Sequence, residues 1–141
     1  MTSPVFLDTN VLVYLFANED PGRQQLAERL YMQTAADAST VISTQVLQEF
    51  FSVATRTMRS AISPITARLA LQEFTEHQVV QVTPRMILQA ASRSASDQLS
   101  IWDALIVEAA LAGGCRTLYS EDFQHGRAFG PLRVVDPFRA D

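Results

Sequence analysis

At 141 residues, 48% of them hydrophobic, the chain has the size of one domain and enough apolar side chain for a single core. Its one cysteine, Cys115, excludes an internal disulfide and suits a reducing cytoplasm. No signal pattern precedes the first basic residue, Arg23, and the longest apolar run, Val11 to Ala17, is far too short to cross a bilayer. The net charge of −4 argues against tight nonspecific binding of nucleic acid through a basic face.

Val5-Phe6-Leu7 is a short apolar run ending in Asp8 and predicts a buried strand. Asp8 to Asn10 makes the turn into a helix that begins with Val11 to Phe16. Pro21-Gly22 opens a second helical segment, in which Leu26, Ala27, Leu30 and Tyr31 follow helical spacing. Val41-Ile42 is the next strand. Ser43 or Thr44 can then cap a helix whose apolar face carries Val46, Leu47, Phe50, Phe51 and Ala54. Ser63-Pro64 starts a helix through Leu69, Leu71 and Phe74, and Val79 to Val82 follows as a strand. Thr83-Pro84 is a cap followed by proline at the first helical position, and that helix runs to about Ala95. Ser100 begins a helix over Trp102 to Ala112, which Gly113-Gly114 ends. Thr117 to Tyr119 and Leu132 to Val135 bring the strands to about five. The alternation, without repeats or a Gly-, Ser- or Pro-rich linker, predicts one α/β domain over residues 1–141. Its sheet is mainly parallel, so ligands should bind at the carboxyl ends of the strands.

Four acidic residues stand where these segments turn into loops or helices: Asp8, Glu49, Asp103 and Asp122. A carboxylate flanked by apolar neighbours is costly to bury unless something cationic meets it. With no His or Cys beside them, four converging carboxylates favour Mg²⁺ or Mn²⁺ over zinc. Each acid also has a plainer role. Asp8 can cap the helix that follows it. Ser100-Ile101-Trp102-Asp103 fits an S-x-x-D capping box, which leaves one carboxylate oxygen for other use. Glu49 can face solvent, although Val46 and Val53 put apolar groups on its side of the helix. Asp122 sits beside Glu121 in a polar loop. The joint placement at one edge of the sheet, not any single acid, carries the argument. Without these four, eleven acidic residues stand against eleven basic ones, all arginine, so the charge neither supports nor excludes an RNA substrate.

Other polar and sulfur-bearing residues fit plainer roles. Met32, Met58 and Met86 are core fillers. His77 and His125 lie in polar stretches and are expected at the surface. Arg56 falls two helical turns beyond Glu49, with Arg59 close by; a solvated helix end is preferred there over a contact with substrate phosphate. Tyr14, Phe16, Phe50 and Phe51 belong mostly to the core.

These motifs resemble the PIN-domain ribonucleases, specifically the VapC-type toxins of bacterial toxin–antitoxin pairs. Phe6-Leu7-Asp8-Thr9-Asn10-Val11-Leu12 is similar to the family's opening motif, and Ser43 to Phe50 to its second, around Glu49. Ser100 to Ile106 resembles the third, around Asp103, and Leu118 to Gly126 the fourth, around Asp122. The four occur in order over nearly the whole chain. The resemblance implies a PIN-like α/β/α sandwich with Asp8, Glu49, Asp103 and Asp122 as a catalytic Mg²⁺ site, in which Mn²⁺ can substitute. Asn10 and Ser120 would orient the carboxylates. Glu121 competes with Asp122 for the fourth position, and the family pattern favours Asp122. Also implied are cleavage of single-stranded or loop RNA, a small antitoxin encoded next door, and a homodimer.

The chemistry is consistent with that site. Phosphodiester hydrolysis needs an activated water, in-line attack and charge stabilisation, and one or two Mg²⁺ ions supply these without a protein nucleophile. Asp8 and Asp103 are the first choice as direct ligands, with Glu49 and Asp122 completing the shell directly or through water. A phosphoacceptor receiver domain is discarded because it needs a lysine, and a haloacid-dehalogenase-type phosphatase because Asn10 stands where a second aspartate is required. Two alternatives stay open: a PIN-domain RNA-processing nuclease without a toxin role, and a metal-poor module that binds RNA or protein.

Overall fold

The computed structural model describes residues 2–56 and 61–139. Six helices and six strands alternate along these residues: β1 (Val5–Leu7), α1 (Thr9–Tyr14), α2 (Pro21–Ala36), β2 (Thr40–Ser43), α3 (Thr44–Arg56), α4 (Pro64–Phe74), β3 (Gln78–Val80), α5 (Pro84–Asp97), α6 (Ile101–Ala112), β4 (Thr117–Tyr119), β5 (Ala128–Phe129) and β6 (Leu132–Val135). They form one sheet of order β3-β2-β1-β4-β6-β5, parallel except for the antiparallel β5–β6 pair. The chain winds from β1 outward to β3, then returns to lay β4 on the other side of β1. This reversal makes the carboxyl ends of β1 and β4 the natural place for a crevice. In register, Leu7 pairs with Tyr119, and Asp8 N–H donates to the Tyr119 carbonyl at 3.0 Å. Asp8 and Ser120 are therefore the first residues beyond the sheet on two adjacent central strands.

The helix starts were legible because their caps are chemical. Ser63, Thr83 and Ser100 each accept a hydrogen bond from a backbone N–H three residues on, and proline follows at Pro64 and Pro84. At α3 the sequence left two caps open; Ser43 Oγ accepts from Val46 N–H, while Thr44 Oγ1 accepts from Val82 N–H. β3 ends at Val80 rather than Val82, and the Val82 N–H is satisfied by the Thr44 side chain instead of a neighbouring strand. α5 continues to Asp97, two residues beyond expectation, before Gln98 adopts a left-handed φ of 56°.

α6 is buried on most sides: Ala104, Leu105, Ile106, Val107, Ala109 and Ala110 all lie in the core. Its last turn approaches the sheet closely at Gly113, where a Cβ would stand 2.8 Å from Val41 Cγ1. Phe6, Leu7, Ile42 and Leu118 from the sheet, with Phe50 and Phe74 from the helices, supply the largest fully buried side chains.

Several expectations need correction. The sheet has six strands, not about five; the extra one, Ala128–Phe129, is two residues paired with β6 across the turn at Gly130, whose φ is 59°. Met32 is no core filler: it is 68% exposed on the outer face of α2, opposite Ala27 and Thr34. Met86 is buried, and Met58 lies outside the described residues. Leu69 is exposed because the inward face of α4 is carried by Ala67 and Phe74. His77 is half-buried against Tyr31, whose hydroxyl it meets at 2.7 Å, whereas His125 is exposed. Arg56 is an exposed helix end, and Arg59 lies outside the described residues.

Candidate active site

Asp8 is the centre of the site. It is 3% exposed, an unusual place for an aspartate. Its Oδ1 accepts from Thr9 N–H at 2.7 Å, and its Oδ2 accepts from Ser120 Oγ–H at 2.6 Å. Burial raises its pKa; the bonds from Ser120 and Thr9 pull it back, and the charges of Asp122 and Glu49 push it up again, to about 7. Asp8 thus does cap α1, as the plainer reading held, yet capping does not balance its charge.

The neighbouring carboxylates are tied to Asp8 through hydroxyl groups. Thr9 Oγ1 donates to Glu49 Oε1 at 3.0 Å, joining the start of α1 to the middle of α3. Ser120, fully buried, donates to Asp8 and accepts from Asp122 N–H at 3.0 Å, so one hydroxyl orients the ends of β1 and β4 together. Asp103 stands in the first turn of α6, its N–H bonded to Ser100 Oγ at 3.1 Å, and burial raises its pKa. The Asp122 pKa is also raised, first by burial and then by Asp103 and Glu121, while Asn10 beside it pulls the other way.

Asp8, Glu49, Asp103 and Asp122 line one groove of about 490 Å³, together with Asn10, Gln45 and an apolar wall that includes Val13, Val53 and Ile106. Among the described residues, no arginine or histidine lines it. Glu121 is engaged elsewhere: it accepts from Tyr14 Oη–H at 2.6 Å and faces Arg23 at 3.6 Å, and the acid of that pair lining the groove is Asp122.

Two residues escaped the sequence reading. Thr9 hides within the opening motif as a turn residue. Gln45 looks like an ordinary helix residue, yet its Nε2 donates to the Trp102 carbonyl at 3.1 Å and holds the start of α6 against α3. Only the tertiary structure gives either a signal.

The donor set fits a hard divalent cation: it is all oxygen, negatively charged and short of a counter-charge. Asn10 adds an amide whose oxygen and nitrogen are withdrawn from water without a hydrogen bond of good geometry. Among the described residues, no three His, Cys, Asp or Glu side chains converge closely enough to enclose a metal ion.

A family model for the PIN domain matches residues 5–128, from the first strand to β5. The chain belongs to the PIN-domain family. This PIN domain is similar in fold to VapC20 of Mycobacterium tuberculosis, described as a sarcin-ricin loop cleaving toxin. The two share 24% identity with a TM-score of 0.64 over 82% of this chain and 88% of that one. It is also similar to DNA-bound VapBC from Salmonella typhimurium, at 16% identity and a TM-score of 0.65 over 96% and 99% of the two chains. A toxin–antitoxin complex from Klebsiella pneumoniae matches at 17% identity and 0.67, over 96% and 98%. At such identities the likeness is one of fold. No curated protein matches the sequence.

Proposed function

We propose that this PIN domain is a Mg²⁺-dependent endoribonuclease and the toxin of a toxin–antitoxin pair. The observation that carries the reading is Asp8: a buried carboxylate at the switch point of the sheet, held by two hydrogen bonds, facing other acids with no cationic side chain among the described residues of its groove. A fold that retains so costly a group is using it for something other than stability.

In this proposal Asp8 and Asp103 hold the cation directly, and Glu49 and Asp122 complete its surroundings. Bound there, Mg²⁺ or Mn²⁺ supplies water activation and charge neutralisation at the phosphate. The chain's own residues prepare the place. Ser120 and Thr9 fix the Asp8 carboxylate and the Glu49 Oε1 in position. Ser120 also fixes the backbone of Asp122, and Gln45 fixes the turn that presents Asp103. Any of the four carboxylates can accept the proton of the attacking water.

A metal-poor binding module is the second reading, favoured by the lack of three converged ligands among the described residues. The toxin role draws support from the fold shared with VapC20, a VapBC complex and a further toxin–antitoxin complex. It brings with it an antitoxin partner, a homodimer and action in the cytoplasm; among the described residues, no helix is long and apolar enough to cross a membrane. The antitoxin would place a cationic side chain among the carboxylates, shielded by apolar contacts near Tyr14 or along α3. The test is expression of the chain with and without its neighbouring gene, followed by mapping of RNA ends. A growth defect and new RNA ends only in the absence of the neighbour are expected. Harmless high-level expression with no new ends would sink the toxin reading.

A further inference from the structure

The groove has two chemically different sides, and the established fold accounts for only one. Its acidic end gathers Asp8, Glu49, Asp103 and Asp122, while Val13, Val53, Ile106 and Trp102 give it an apolar side. Trp102 is immediately next to Asp103 in the first turn of α6 and is 63% exposed. No aromatic contact of its ring is seen among the described residues, although Tyr14, Phe16, Phe50, Phe74 and Phe123 all pack against other rings. Its backbone is nevertheless fixed, because its carbonyl accepts from the buried Gln45 Nε2. A large exposed indole on a clamped backbone loses little entropy when a flat partner covers it.

We propose that Trp102 is the platform on which a nucleobase of single-stranded RNA stacks as the adjoining phosphodiester enters the acidic end of the groove. This rests on the ribonuclease reading of the site and deepens it. A nucleotide is the ligand whose halves match the two sides: an anionic diester for a cation held by the carboxylates, and a flat, desolvatable ring for the apolar side. Stacking on one ring tolerates any base, so Trp102 positions the strand and contributes affinity, whereas base identity is not read by it. A duplex does not expose the face of a base, which restricts substrates to unpaired segments and loops.

Trp102 is the only tryptophan in the chain, so intrinsic fluorescence reports on it alone. The wild-type protein, in millimolar Ca²⁺ to neutralise the carboxylates, is titrated with oligouridylate, oligoadenylate and an abasic oligomer of the same length. The same oligomers, labelled, are followed by anisotropy with Trp102→Ala and Trp102→Phe, after melting curves have shown that both variants fold. RNA cleavage by the wild type is measured in parallel. Both base-bearing oligomers should quench the fluorescence and the abasic one should not. Trp102→Ala should weaken binding roughly 5- to 100-fold, and Trp102→Phe should restore most of it. Equal quenching by the abasic oligomer, unchanged binding by Trp102→Ala, or a response only to the neighbouring gene's product would overturn the proposal. If the wild type cleaves RNA in those cases, the nuclease reading survives. Quenching without cleavage under Mg²⁺ or Mn²⁺ would instead support the stacking role and count against the nuclease.

Discussion

Replacing Asp8 with asparagine should make the metal-free protein more stable at alkaline pH while removing its function. The folded pKa of Asp8 is about 7 against an ordinary 3.8, chiefly because the carboxylate is buried. A group raised in this way contributes stability that is fully present below the unfolded pKa and lost as pH rises through the folded one. From pH 3.8 to pH 7 and above, keeping Asp8 in the fold therefore costs up to roughly 4 kcal/mol. Asparagine never acquires the charge. It keeps an acceptor for Thr9 N–H but presents an amide donor to Ser120, whose hydroxyl now donates to Asp8, and that mismatch costs about 1–2 kcal/mol. The net gain is roughly 2–3 kcal/mol at pH 8, an increase in Tm of about 6–10 °C for a chain this size. At pH 5 the charging cost is only about 1.5 kcal/mol, so the gain and the mismatch cancel. The assay is thermal unfolding of both proteins in excess EDTA at the two pH values. An Asp8→Asn variant no more stable than wild type at pH 8, or equally stabilised at both, would refute the claim that Asp8 is an uncompensated buried charge.

Three further outcomes are expected. Saturating Mn²⁺ should raise the wild-type melting temperature, with about 2.7 kcal/mol of stabilisation at a hundredfold excess over Kd, and should do nothing for Asp8→Asn or Asp103→Asn; identical wild-type curves in EDTA and Mn²⁺ would argue against a shared site. Asp103→Asn should keep its fold, since the bond to Ser100 uses the backbone N–H, yet lose at least about 100-fold in RNA cleavage; wild-type cleavage would make Asp103 a helix-start residue only. Ser120→Ala should destabilise the protein by about 2–4 kcal/mol, because it strips a donor from Asp8 and an acceptor from Asp122 N–H. It should also move the Asp8 pKa further up, measurable by carboxyl-carbon NMR titration, and an unmoved pKa would deny Ser120 its orienting role.

What the sequence made legible was what local chemistry decides. Ser63-Pro64, Thr83-Pro84 and Ser100 announce helix starts because their hydroxyls bond to amides three residues away, within one segment. The apolar triplet of β1, with Phe6 and Leu7 on opposite faces and both buried in a parallel sheet, needs no partner to be recognised. β5 could not be seen, because two residues carry no periodicity and the pairing is imposed by β6 across a turn. Met32 misled for a related reason: Ala27 and Thr34 set the inward face of α2, and small residues leave little hydrophobic signal by which to orient it. At the site, the four acids stood out as charges among apolar neighbours. Thr9 and Gln45 did not, since their partners lie 40 and 57 residues away. The contacts of Glu121 with Tyr14 and Arg23, which leave Asp122 as the acid of that pair lining the groove, likewise depend on distant partners.

The most direct test of the central claim, that the carboxylate groove is a metal-dependent ribonuclease site, is in vitro mapping of cleaved ends. Purified protein is incubated with total RNA in Mg²⁺, in Mn²⁺ and in EDTA, alongside Asp8→Asn purified identically. Defined new ends that appear with either cation, vanish in EDTA and are absent with Asp8→Asn are the predicted result. Ends that persist in EDTA or with Asp8→Asn, or no wild-type cleavage of any RNA with either metal, would contradict it.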